Sequence, residues 1–161
     1  MSDTLRGVLS HLVSLVPGYT GYADLEKRRE SDHALRLSIA TRLVTIRSAV
    51  DRRIAECSRR QRFDGLEALD GLGRRVSRLA DRVRHAPAGY TGLFDSVQVD
   101  AAALERLYER DLAVREACER LATAVDGLAA PADGAPDGAA AEMAAAETAV
   151  ASRDQALAEV R

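Results

Sequence analysis

An all-α fold, an elongated up-down bundle of long helices, is predicted by three features of the chain. Hydrophobic residues make up 47% of the sequence while aromatics make up only 4% and Trp is absent, so its core must be aliphatic. Charged residues supply a further 30%, mostly Arg, Glu and Asp, a mixture that favours long solvated helices. Apolar residues also recur three and four positions apart, over long stretches free of Gly and Pro. A chain of 161 residues is long enough to bury one core without disulfides or metals.

Leu5, Val8, Leu9, Leu12, Val13 and Val16 share one helical face over residues 3–16, and Pro17 and Gly18 stop that helix. The loop that follows reads PGYTGY. Asp24 is a suitable N-cap for a second helix reaching residues 57–60. Its stripe of Leu35, Ile39, Leu43, Ile46, Val50, Ile54 and Cys57 has an eleven-residue period, which marks a straight or slightly right-handed seam. RQRFDGL at 60–66 predicts a bend. Leu66, Leu69, Leu72, Val76, Leu79 and Val83 then predict a third helix over 64–85, weakened early by Gly65, Gly71 and Gly73.

A second GYTG at residues 89–92 and an extended LFDSVQV lead to Asp100, the expected cap of a fourth helix. Leu104, Leu107, Asp111, Val114, Cys118, Leu121, Val125 and Leu128 set that helix in a heptad register. The domain reading is therefore a helical bundle at 1–129, a Pro/Gly/Asp linker at 130–140 and an Ala-rich helix at 141–161. With only Met143, Val150, Leu157 and Val160 as larger apolar residues, that last helix is expected to dock loosely or fray.

The two GYTG loops accompany a longer repeat. A shift of 79 residues matches Leu25 with Leu104, Glu26 with Glu105, Glu30 with Glu109, Asp32 with Asp111, Ala34 with Ala113 and Arg36 with Arg115. The chain reads either as two related units or as a chance match among abundant residue types. In an up-down bundle the second and fourth helices run parallel, so both loops fall at one pole. At 1.5 Å rise per residue, Asp32 and Asp111 sit about 12 and 17 Å beyond their caps, near one level. An aspartate on a packing seam needs a partner. The expected polar layer contains Arg28, Arg29, Asp32 and Asp111, closed by Tyr19, Tyr22 and Tyr90, with Phe94 and Asp95 at the same pole. Such a layer acts first as a registry device and only second as a ligand site.

The sequence shows no carrier of catalysis. Histidine occurs only at 11, 33 and 85, and the Glu30/His33 pair in ESDH has no counterpart in the second unit, so no metal or other cofactor is expected. Cys57 and Cys118 lie on helical seams, about 50 and 27 Å from the pole, too far apart for a disulfide. Net charge is -2, which speaks against nucleic acid as a partner. Between Asp24 and Arg62, however, eleven Lys/Arg face six Asp/Glu, while from Pro131 onward two face six. Arg47, Arg52, Arg53, Arg59, Arg60 and Arg62 could thus meet an anionic surface, or simply solvate a long helix. No signal peptide or membrane-spanning run is evident, and a cytoplasmic protein, peripheral at the inner face of the membrane at most, is expected.

PGYTGYADLEKRRESDHALR, with GYTGLFDSVQVDAAALERLYERDLA, resembles an uncharacterised group of prokaryotic helical proteins. Its members combine a Gly-Tyr loop, an Arg-Arg-Glu-x-Asp helix start and a Leu-Phe-Asp segment, and some look like neighbours of SPFH-type or phage-shock-type membrane-stress scaffolds. The resemblance spans about residues 16–125 and carries no catalytic residues over. It implies an assembly or adaptor role at the cell envelope. The leading expectation is a non-enzymatic scaffold that self-associates or binds a protein partner. A peripheral anionic-lipid or anionic-ligand binder using the basic second helix, and a small-molecule or metal site at the GYTG pole, are the alternatives.

Overall fold

The structure is a computed structural model describing residues 3–86, 99–128 and 136–159. It is all-helical over those residues: α1 (Asp3–Leu15), α2 (Arg28–Arg59), α3 (Leu66–Arg84), α4 (Ala101–Asp126) and α5 (Asp137–Glu159). The second GYTG loop, with Tyr90, Phe94 and Asp95, lies outside the described residues, as does most of the predicted linker.

Cross-helix pairs fix the topology. Arg36 reaches the carbonyl of Arg84 while Arg47 lies against Gly73, so α2 and α3 form an antiparallel hairpin. Asp111 meets Arg153 while Arg120 meets Glu142, so α4 and α5 form a second one. The hairpins pack side by side with like helices parallel. Arg42–Glu119 and Arg53 on the Asp126 carbonyl join α2 to α4, and Arg75–Glu147 and Arg82–Asp154 join α3 to α5. The up-down bundle read from the periodicity is what forms, and α1 leans on α4.

The predicted seams enter the core. Leu35, Ile39, Leu43, Ile46, Val50 and Cys57 on α2 are buried, as are Leu107, Val114, Cys118, Leu121 and Val125 on α4. Each large aliphatic side chain removed from water stabilises the fold by about 1.5–3 kcal/mol. Both cysteines are free and buried, and burial pushes the Cys118 thiol up to about 11.

Three local expectations are corrected. Asp24 does not cap α2, which starts four residues later at Arg28. Residues 24–27 form turns instead, with the Asp24 carboxylate accepting from the Glu26 amide and the Asp24 carbonyl from the Lys27 amide. The linker is shorter than expected at its far end, because α5 begins at Asp137, directly after Pro136. Nor does α5 dock loosely. Ala139, Met143, Ala146, Val150 and Arg153 are all buried. They continue a heptad register in which fully buried alanines allow close helix approach.

Candidate functional site

The notable site is a layer of buried charge near the start of α2. The chain leaves α1 through Pro17 and turns on Gly18 and Gly21, at φ 81 and 85. Gly21 is constrained twice over, because a Cβ there would come within 2.8 Å of the Tyr108 hydroxyl besides straining a left-handed backbone. The loop is held from below. Ser31 Oγ donates to the Gly21 carbonyl (2.8 Å), and Arg28 Nε donates to the Tyr22 carbonyl (2.7 Å). The Tyr22 amide donates to the Tyr108 hydroxyl (2.7 Å). Tyr22 stacks on Tyr108 and meets Tyr19 edge-on, with centroids 5.5 and 5.6 Å apart.

That geometry aims both loop phenols at Asp111, whose side chain has no exposure. Tyr19 and Tyr22 hydroxyls donate to its Oδ2 at 2.9 and 2.7 Å, and Arg153 Nε donates to its Oδ1 at 2.7 Å. Arg153 Nη2 donates to Asp32 Oδ1 at 2.6 Å, and Arg36 Nε donates to Asp32 Oδ2 at 2.8 Å. Arg36 also donates through Nη1 to the Ala86 carbonyl (3.0 Å), so a cation caps the C-terminal end of α3. Two carboxylates and two guanidinium groups thus tie the GYTG loop and all four bundle helices together at one level.

Burial pushes the Asp111 carboxyl above its ordinary value, although Arg153 and the two phenols pull the other way. At this carboxylate, attraction does not fully offset desolvation, as is common for buried ions. Burial alone would lower Arg153, but Asp111, Tyr22 and Asp32 outweigh it and the guanidinium stays charged. Burial, reinforced by Asp111, pushes the Tyr19 and Tyr22 phenols far above theirs. These are hydrogen-bond donors held neutral. The space beside Arg36 and Arg153, also lined by Ile39, Val83, Val114 and Val150, is about 10 Å³, room for a single water.

Tyr19, Tyr22, Asp32 and Asp111 meet as the sequence suggested. Arg28 is buried beside them and braces the loop backbone at the Tyr22 carbonyl. Arg29 is exposed at the start of the helix. The cations that pair the aspartates are Arg36 and Arg153, which sequence reasoning missed. Arg153 was legible through the heptad of Ala139, Met143, Ala146 and Val150, which carries the seam into it. Arg36 was legible as the i+4 partner of Asp32.

The repeat has a structural echo that is not symmetric. Arg115 stands to Asp111 as Arg36 stands to Asp32, yet Asp111 is already filled by Arg153 and the tyrosines. Arg115 turns instead to Glu119 at 3.3 Å, and its buried Nε has no partner among the described residues.

The six arginines proposed for an anionic surface scatter along α2 and the turn that follows it. Arg47 is half-buried and pairs with Asp51, while Arg53 caps the α4 C-terminus through the Asp126 carbonyl at 2.8 Å. Arg52, Arg59, Arg60 and Arg62 are exposed, and Arg60 pairs with Glu56 at 2.8 Å. Among the described residues no group of His, Cys, Asp and Glu could hold a metal ion, and His33 lies in solvent. No described helix is long and apolar enough to cross a membrane. No protein-family model, curated protein or solved structure matches the chain, so its site is read on its own geometry.

Proposed function

We propose that this protein is a non-enzymatic helical scaffold that assembles through the outer face of α2. The observation that carries the reading is an uncharged stripe on a helix otherwise dense in charge. Leu37, Thr41, Val44 and Ser48 are exposed along that face, Leu37 to 50% and Val44 to 47%. The neighbours α3 and α4 cover other sides of the helix. Large aliphatic side chains left half in water at helical spacing suit a facing helix.

A second copy of the chain is the occupant that fits. An antiparallel pairing of two α2 helices about Thr41 brings Leu37 of each chain toward Val44 of the other, and Glu30 toward Arg52. Apolar and charged positions then complement each other under one two-fold axis. The buried layer supports the same reading, because its charged groups are consumed by one another and fix the helix alignment on which a scaffold depends. An envelope setting for this assembly follows from the sequence resemblance.

Light scattering coupled to size exclusion tests the proposal. The wild-type chain should run as a dimer that dissociates on dilution, and Leu37→Glu combined with Val44→Glu should be monomeric with unaltered helicity. A wild-type chain that stays monomeric at every concentration overturns it.

A further inference from the structure

At the end of the bundle remote from the tyrosines, α4 stops at Asp126 while α2 runs on to Arg59. The step leaves an open groove of about 720 Å³, lined by Arg52, Arg53, Glu56, Arg59 and Asp126 among others. Beyond it the chain turns the corner into α3. The Gln61 amide donates to the Ser58 carbonyl and the Arg62 amide to the Cys57 carbonyl, with Gln61 at φ 53. This is a Schellman ending with a left-handed residue that is not glycine. The residue after the left-handed one usually tucks an apolar side chain back onto the helix. Here that residue is Arg62, and the apolar residue comes one position later. Phe63 is 67% exposed, more than any other large apolar side chain among the described residues.

The surrounding charge leans positive. Residues 51–64 hold Arg52, Arg53, Arg59, Arg60 and Arg62 against Asp51, Glu56 and Asp64, five positive and three negative, a local net of +2 in a chain of net charge -2, with Asp126 also lining the groove. Arg53 and Arg60 are engaged with Glu56, and Arg53 also with the α4 C-terminus. Arg52 and Arg59 form no ion pair among the described residues.

We propose that this corner docks on the surface of an anionic phospholipid bilayer, Phe63 entering the headgroup region while Arg52, Arg59, Arg60 and Arg62 meet lipid phosphates. An exposed aromatic at the tip of a basic corner suits an interface that is apolar on one side and negatively charged on the other. A soluble phosphate would use the arginines but leave Phe63 without a role. Single-stranded nucleic acid calls for several aromatic platforms along a groove, and this corner has one. Docking here shares only Arg52 with the proposed assembly face of α2, since Arg59 and Phe63 lie beyond that pairing, so Phe63→Ser reads docking without touching assembly.

Because the chain has no Trp, Phe63→Trp makes a single-tryptophan reporter. Its emission should shift to the blue with vesicles of phosphatidylcholine containing phosphatidylglycerol, and stay unchanged with phosphatidylcholine alone or with inorganic phosphate. Co-sedimentation of the full chain with the anionic vesicles should be lost in molar salt. It should weaken about twenty-five-fold in Arg52→Gln/Arg59→Gln, from about fivefold for each arginine. Phe63→Ser should weaken it about tenfold. The proposal is overturned if anionic vesicles bring down no protein, if neutral vesicles bind equally well, or if the arginine and Phe63 variants bind like wild type. It is likewise overturned if an oligothymidylate or inorganic phosphate shifts the reporter's emission more than the anionic vesicles do.

Discussion

At the tyrosine end of the bundle, Asp32, Asp111, Arg36 and Arg153 are all less than 10% exposed and every one has a charged partner. At the corner end, Arg52 and Arg59 are exposed and form no ion pair among the described residues. The chemistry is the same and the consequences differ. A buried ion must find its partner on another element, so the layer admits one alignment of loop and helices. An exposed ion is satisfied by solvent, constrains nothing and remains available to something outside the chain. Between these extremes lie the cross-helix pairs Arg42–Glu119 and Arg75–Glu147, bidentate but wet, which trim the register without deciding it.

The strongest way to break this contrast is Asp111→Leu. The variant leaves Tyr19 and Tyr22 without their acceptor and strips Arg153 of one of its two carboxylates. It should lower unfolding free energy by about 3–5 kcal/mol. Urea denaturation followed by circular dichroism reads it, and a midpoint equal to wild type would show that the layer does not hold the helices.

The next effect is alkaline. Burial raises the Tyr19 and Tyr22 phenols above the ordinary value of 10.0, and Tyr108 in the same direction. A raised folded-state value means that this contribution to stability is complete below about pH 10 and is lost as pH climbs, because the unfolded phenols ionise first. Each phenol still protonated in the fold should cost about 1.4 kcal/mol per pH unit above pH 10. Melting temperature should therefore fall steeply from that point, and less steeply in Tyr19→Phe/Tyr22→Phe. Parallel alkaline slopes for the two proteins would remove the tyrosines as the cause.

Arg42→Gln is the smallest. The pair with Glu119 is a third to a half exposed, so its loss should cost below about 1 kcal/mol and vanish in high salt. A loss as large as that of Asp111→Leu would mean that wet and dry charges in this bundle do not differ.

The helices were legible because local periodicity follows directly from which face is buried. The seams of Leu35 to Cys57 and Leu107 to Val125 point inward as spacing alone indicated. The layer was half legible. Asp32 and Asp111 stand out as charges on apolar seams, and the shared level followed from rise per residue in parallel helices. Arg153 escaped because it sits in an alanine-rich segment whose bulk suggested weak docking, and bulk proved the wrong measure there. Alanines at Ala139 and Ala146 support α5 by letting it approach closely, and its Met143, Val150 and Arg153 do the rest.

Composition and spacing by themselves determined an aliphatic all-helical bundle, the faces its helices bury, the bend near Phe63 and the need of two seam aspartates for partners. Only the tertiary structure decided who those partners are. A guanidinium can reach carboxylates on two other helices only once three helices are side by side. The choice among Arg28, Arg29, Arg36 and Arg153 therefore depends on distances across the core, which sequence separation does not encode.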